Sequence, residues 1–217
     1  MSIQWGCNKQ SPESLIGEGL NSEGSDAIIE AAFKDDPRPL WVGVAGGPRE
    51  VAQAIWDVKN TRSEAEIQHF ISKLRVFLIF CQDGTHDYVM NEPGLFVIEC
   101  DGCFGSFFCD GDANCNQDWV HENVIQNHGP LGALYPDHGA VTSGVQEGDT
   151  PAFVHLVSAS RGINDPDDPS QPSWGGQYYE DGNSNKWLDG GECGGVVKGH
   201  MDEMQTEFAE RADWMVE

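Results

Sequence analysis

The segment PLWVGVAGGP, residues 39–48, decides the predicted fold. Its apolar run ends in a Gly-Gly-Pro turn, which suits the start of a helix. Apolar residues then recur at the spacing of one helix face, at Val51, Ala54, Ile55 and Val58. The pattern predicts a buried strand, a tight turn and a helix in succession.

Further segments repeat this alternation of strand and helix. A helix is predicted over residues 63–74 and an amphipathic helix over residues 201–215. Continuously apolar runs predict strands over residues 75–81, 94–99 and 152–158, as expected when both faces of a sheet are covered. The sequence therefore predicts a single α/β domain over residues 1–217, with an open, mostly parallel sheet and flanking helices.

The charge of the chain limits its partners. There are 36 acidic residues against 12 basic ones, which gives a formal net charge of −24. Direct binding to the phosphates of a nucleic acid is therefore excluded, because both surfaces carry the same sign. Such an acidic surface is typical of proteins that tolerate high salt or bind cations, and composition does not choose between them.

The sequence also limits where the protein acts. No apolar run reaches the roughly 18 residues of a membrane span, so we expect no membrane insertion. Residues 1–10 lack the basic and apolar regions of a signal peptide. These observations favour the cytoplasm unless a leader lies outside the sequence.

Four of the seven cysteines lie close together, at Cys100, Cys103, Cys109 and Cys115. One CxxC pair without a second one half fulfils the spacing of a structural zinc site. Local disulfide bonds in a secreted protein and free thiols are the alternatives. The odd total leaves at least one cysteine unpaired within a monomer.

Two segments alternate oxygen-bearing side chains in the manner of a calcium loop. They are Asp110, Asp112, Asn114, Asn116 and Asp118, and then Asp181, Asn183, Asn185, Asp189 and Glu192. Neither has glycine at the sixth position, and only the second has glutamate at the twelfth. For both segments, a solvated polar loop is favoured over a metal site.

Ligands of open α/β sheets bind beyond the carboxyl ends of the strands. Residues 45–48, 81–87, 100–118 and 158–179 are expected there. Gly46 and Gly47 would let the backbone approach a ligand, although an ordinary tight turn has the same composition. Trp174 lies in a loop, where it would either stack on a sugar ring or anchor the loop.

The order of several motifs between residues 17 and 214 resembles one known family. The motifs include GEGLNSEGS (17–25), KDDPRPLWV (34–42), GGP (46–48), NHGPLGALYP (127–136), EGDTP (147–151), NDP (164–166) and WGG (174–176). They resemble the nucleoside-hydrolase-like domain found at the front of bacterial cellulose-binding proteins. The resemblance implies a nucleoside-hydrolase-type sheet, a family that is usually exported, and hydrolysis of a glycosyl bond assisted by a divalent metal.

The resemblance also implies roles for individual residues. Asp165 corresponds to a late metal ligand, and the turn at Gly46 and Gly47 to a backbone carbonyl ligand, which implies a Ca²⁺ cofactor. The expected contacts with a small-molecule glycoside or a polysaccharide are Gln82, Asp83, Asn164 and Trp174, with Asp149 as a further candidate.

The chain departs from the family at its start. The family's first strand and most of its metal-binding aspartates would precede residue 1, so the domain is expected to be N-terminally truncated. This leaves two functional hypotheses, a glycosyl-bond hydrolase and a non-catalytic carbohydrate-binding or cellulose-binding module. The missing strand also predicts a homodimer, or a partner that covers the exposed sheet edge.

Overall fold

The computed structural model describes residues 11–109, 113, 115–135 and 144–216. The contacts divide the chain into two compact units. Unit 1 comprises Met1–Asp101 and Tyr178–Asp189, and unit 2 comprises Gly102–Gln177 and Gly190–Glu217. The sequence predicts a single domain over residues 1–217. That prediction depends on how the two units are arranged, so it stays a prediction.

The strands and helices of the described residues follow one another in the order below. The strands are β1 (Leu40–Val44), β2 (Leu74–Ile79), β3 (Phe96–Cys100), β4 (Phe107–Phe108), β5 (Gln146–Glu147), β6 (Tyr178–Glu180) and β7 (Lys186–Asp189). The α-helices are α1 (Glu23–Ala32), α2 (Arg49–Thr61), α3 (Glu64–Lys73), α4 (His86–Met90), α5 (Gln117–Val120), α6 (Gly129–Gly132), α7 (Thr150–Ser160), α8 (Cys193–Gly199) and α9 (Met201–Asp213). A 3₁₀ turn covers Pro12–Ser14, and a π-helical turn covers His121–Ile125.

Unit 1 contains a five-stranded sheet in the order β1-β2-β3-β7-β6. The first three pairings are parallel, and β6 joins β7 in the antiparallel sense. The α/β prediction with a mostly parallel sheet is therefore confirmed. Among the described residues, β1 pairs only with β2, so the prediction of a partner at this edge stays a prediction.

The helices of unit 1 begin where the sequence supplies caps. Ser22 and Ser25 form a capping box at α1, and Ser63 and Glu66 form one at α3. Helix α2 follows the Gly-Gly-Pro turn with Pro48 at its N-cap. The predicted stripe of α2 is buried in one apolar core together with residues of β2 and β3. This packing holds the turn after β1 in place.

The prediction of a strand over residues 152–158 is wrong, because this segment lies within α7. Its buried residues are Pro151, Val154, His155 and Ser158. Their spacing is that of one helix face, whereas a short apolar run does not by itself distinguish a buried strand from a buried helix. Residues 158–179 therefore follow a helix, and the argument that placed them beyond a strand no longer applies.

Unit 2 contains short elements joined by disulfide bonds. Strands β4 and β5 pair antiparallel, and Cys109 is bonded to Cys115. A second disulfide bond links Cys103 to Cys193 at the start of α8. Of the three alternatives for the clustered cysteines, the structure contains disulfide bonds for Cys103, Cys109 and Cys115.

The structure describes the two segments that resemble calcium loops to different extents. Asp110, Asp112 and Asn114 lie outside the described residues. Asp181 begins the turn between β6 and β7, and Asp189 ends β7, so the second segment is largely a hairpin. Among the described residues, no helix has both the length and the apolar character needed to cross a membrane.

Candidate functional site

The carboxyl ends of β1, β2 and β3 carry polar residues in unit 1. Strand register pairs Val44 with Leu78 and Ile79 with Cys100, so the three strands end at one edge of the sheet. The Gly46–Gly47 turn follows β1, and Gln82 and Asp83 follow β2. We refer to this region as the carboxyl edge.

Gly47 and Asp83, both predicted site residues, lie against each other. A Cβ added to Gly47 would stand 1.9 Å from Asp83 Oδ2, so only glycine fits beside this carboxylate. The other oxygen, Asp83 Oδ1, accepts hydrogen bonds from Thr85 N at 2.7 Å and from Thr85 Oγ1 at 2.6 Å. The carboxylate is therefore held in one orientation against the turn.

The space around this turn is open. A Cβ at Gly46 would meet no heavy atom within 4 Å. A cavity of about 210 Å³ is bordered by the end of β1, the Gly46–Gly47 turn and the first residues of α2. Gln82 lies nearby in sequence, but its Nε2 donates to Ile79 O at 2.8 Å and so secures the loop after β2.

Two polar residues of this edge were not singled out from the sequence, His86 and Glu99, although His86 lies within the segment 81–87 expected there. His86 Nε2 lies 2.7 Å from Glu99 Oε1, and its Nδ1 lies 3.1 Å from Asp87 Oδ1. The hydrogen bond with Glu99 is the largest influence on the pKa of His86 and raises it, against the opposing effect of burial. The available signal was Glu99 itself, a charge within an otherwise apolar strand.

The raised pKa of His86 predicts a pH effect with a definite sign. Because the pKa is higher in the folded state, the pair contributes its full stability below the ordinary histidine pKa of about 6.5. That contribution is lost as the pH rises through the folded value. In an NMR titration, Glu99→Gln should lower the pKa of His86 more than Asp87→Asn does. Equal values in all three proteins would contradict the assignment.

The strand β7 adds a further carboxylate to this edge. Asp189 Oδ2 accepts a hydrogen bond from Asp101 N at 2.7 Å, just after β3 ends. The carboxyl edge thus presents carboxylates on the loops or ends of β2, β3 and β7.

The other predicted site residues belong to unit 2. Asn164 is buried, and its Oδ1 accepts from Ser158 Oγ at 2.7 Å. Trp174 is only 5% exposed, and its Nε1 donates to Glu203 Oε2 at 3.4 Å. These contacts favour the loop-anchoring interpretation of Trp174, and a sugar contact by its ring stays a prediction.

A buried network explains the Trp-Gly-Gly motif. His155 Nε2 lies 3.1 Å from Pro166 O, and Nδ1 lies 3.1 Å from Ser173 Oγ. Burial lowers the pKa of His155, which favours the neutral ring that donates from Nε2 and accepts at Nδ1. Gly175 stands so close to α7 that an added Cβ would lie 2.4 Å from Pro151 O. The motif therefore docks the loop against α7.

Asp149 and Asp165 have less elaborate surroundings. Asp149 precedes α7, and burial followed by the charge of Glu147 raises its pKa. Asp165 is exposed, and its Oδ1 accepts from Asp167 N at 3.0 Å.

These surroundings do not supply the several oxygen ligands that calcium requires. Within the described ranges, Asp165 belongs to no group of three or more acidic, histidine or cysteine side chains close enough to hold an ion. The described residues around Asp165 thus do not fit a calcium site, and we derive no step through a metal ion. The Ca²⁺ cofactor stays a prediction.

A family comparison and a structure comparison both relate the chain to nucleoside hydrolases. Residues 2–178 match the family described as "Cellulose-binding Sde182, nucleoside hydrolase-like domain". A solved structure of a nucleoside hydrolase-related protein from Saccharophagus degradans, described as associated with carbohydrate metabolism, is 34% identical, with a TM-score of 0.78. The match covers 95% of this chain and 51% of that one, so this chain spans about half its length. No curated protein matches the chain.

Proposed function

Since the chain belongs to the nucleoside hydrolase-like domain family of cellulose-binding Sde182, we propose that it binds a carbohydrate at the carboxyl edge of unit 1. The ligand class is a glycoside or polysaccharide, with a cello-oligosaccharide as the first choice. The observation that carries the proposal is the fixed carboxylate of Asp83 against Gly47, beside an open turn.

The chemistry of the carboxyl edge suits sugar hydroxyls. Each hydroxyl donates one hydrogen bond, and an ionised carboxylate accepts several. Asp83 is oriented by Thr85, and Glu99 is oriented by His86, so neither carboxylate has to be ordered when a sugar binds. Preorganised acceptors retain more of their interaction energy on binding.

Substitutions that remove charge but keep shape provide the test. Asp83→Asn retains an oxygen that accepts from Thr85, and Glu99→Gln retains the length of the side chain. In calorimetric titrations with cellohexaose, each variant should bind at least tenfold more weakly than the wild type, since a charge-assisted hydrogen bond contributes about 1.5–3 kcal/mol.

The matched control is Glu30→Gln, an exposed glutamate of α1 whose nearest cation, Lys34, is 3.9 Å away. This variant should bind cellohexaose as the wild type does. Retention on insoluble cellulose provides a second readout with the same expected order. Unchanged affinity in both Asp83→Asn and Glu99→Gln would overturn the proposed site.

A second candidate function is hydrolysis of a glycosyl bond, and the His86–Glu99 pair favours it. A raised pKa keeps a larger fraction of His86 protonated near neutral pH, as a general acid requires. If the wild type cleaves aryl glycosides or nucleosides, His86→Gln should lower turnover by about 10²-fold or more. Absence of turnover in the wild type would remove this candidate and leave the binding proposal in place.

The disulfide bonds bear on where the protein acts. Cys103–Cys193 and Cys109–Cys115 are both buried in unit 2. Structural disulfide bonds form and persist in oxidising compartments. They support export of this protein, in line with the usual location implied by the resemblance, over the cytoplasmic alternative.

A further inference from the structure

Unit 2 contains a partly open cavity of about 240 Å³ that the carbohydrate proposal does not use. Its walls come from β4, α7, α9 and the Trp-Gly-Gly loop, and most of them are apolar. The aromatic residues that line it are Phe107, Phe153, Trp174 and Phe208. Phe153 is 67% exposed, so the cavity opens to the surface of unit 2 beside this ring.

One buried polar side chain in this wall lacks a partner. Gln205 is only 4% exposed, and among the described residues its Oε1 has no hydrogen-bond partner. Its Nε2 makes only a long contact of 3.7 Å with Met201 Sδ. Gln205 lines the cavity from α9 together with Met204 and Phe208. An unsatisfied buried amide is costly, and a ligand with a hydroxyl group would satisfy it.

The acidic side chains that line the cavity both have partners within unit 2. Glu147 accepts hydrogen bonds from Tyr135 Oη and Thr150 Oγ1. Glu207 accepts hydrogen bonds from Arg211 and pairs with Arg161. Burial acts to raise the pKa of Glu207, but the two arginines outweigh it and the pKa lies below its ordinary value. The cavity therefore offers mainly aromatic walls, carboxylates that already accept hydrogen bonds within unit 2, and one amide oxygen without a partner among the described residues.

We propose that this cavity binds a small, neutral aromatic alcohol, with the ring among the aromatic walls and the hydroxyl on Gln205. The volume suits a single substituted ring, since benzene occupies an apolar protein cavity of about 150 Å³. A hydroxyl both donates and accepts, so it pairs with either end of the Gln205 amide.

The test compares two ligands that differ by one hydroxyl, p-cresol and toluene. By NMR titration, the wild type should bind p-cresol about fivefold to tenfold more tightly than toluene, which corresponds to one neutral hydrogen bond. Gln205→Leu should bind both ligands with equal affinity. Equal affinity in the wild type, or a preference retained in Gln205→Leu, would overturn the proposal.

A second variant keeps the test independent of Gln205. Val157 lines the cavity from α7, and Val157→Phe should fill it and weaken both ligands at least tenfold. Val196→Phe is the matched control, because Val196 lies in α8 and is not among the lining residues. Asp83→Asn should leave p-cresol affinity unchanged, which separates this proposal from the carbohydrate site. Binding that survives Val157→Phe would contradict the location.

Discussion

The double variant Cys103→Ala/Cys193→Ala should lose about 4.6 kcal/mol of stability, by the chain-entropy estimate for a closed loop of its length. The disulfide joins residues 90 positions apart. Without it, the unfolded chain gains the freedom of a long open loop, whereas the folded state keeps its other contacts. Urea unfolding followed by fluorescence would measure the change.

The second disulfide bond provides the matched comparison. Cys109 and Cys115 are only 6 positions apart, so Cys109→Ala/Cys115→Ala should lose about 2.2 kcal/mol by the same estimate. All four cysteines are buried, so the small cavities left by alanine largely cancel in the comparison. If the short-range pair costs as much as the long-range pair, loop length does not govern the stabilisation.

Gly175→Ala should destabilise the protein by about 3 kcal/mol, the upper end of the usual cost of overpacking. The added Cβ would lie 2.4 Å from Pro151 O, 2.7 Å from His155 Cβ and 3.0 Å from His155 N. Two of these atoms belong to the backbone of α7 and have no rotamer with which to move away. The melting temperature should fall by about 6–12 °C.

Gly195→Ala is the control for this substitution. Gly195 lies within α8, where an added Cβ would meet nothing within 4 Å. Alanine is the better helix former, so the control should melt at the same temperature or slightly higher. A Gly175→Ala protein that melts with the wild type would show that the loop retreats from α7 without cost.

The sequence predicted the first part of the sheet well. Strands β1, β2 and β3 and helices α2 and α3 each carry a long periodic or apolar signal with a turn or cap beside it. Strands β6 and β7 have only three and four residues, too few for a pattern to be recognised. Helix α7 was mistaken for a strand because its apolar run is short and rich in β-branched and aromatic residues.

The part of the candidate site that was predicted lies beside strands that the sequence also predicted. Gly47 and Asp83 follow strands that were recognised, so the rule about carboxyl ends placed them together. The contact between His86 and Glu99 was missed because 13 residues separate them, and only the return of the chain through α4 and β3 brings them together. The placement of residues 158–179 beyond a strand depended on the mistaken strand. Asn164 and Trp174, assigned as sugar contacts by the resemblance, lie in unit 2.

The discontinuity of unit 1 has a consequence for synthesis on the ribosome. The neighbour of β3 on one side is β7, and residues 101–185 are translated between these two strands. At a translation rate of about 5–20 residues per second, roughly 4–17 s pass between the synthesis of β3 and the synthesis of β7. During this interval an apolar strand edge is open to pairing with another chain. Nascent chains of this protein should therefore depend on chaperones until β7 leaves the exit tunnel.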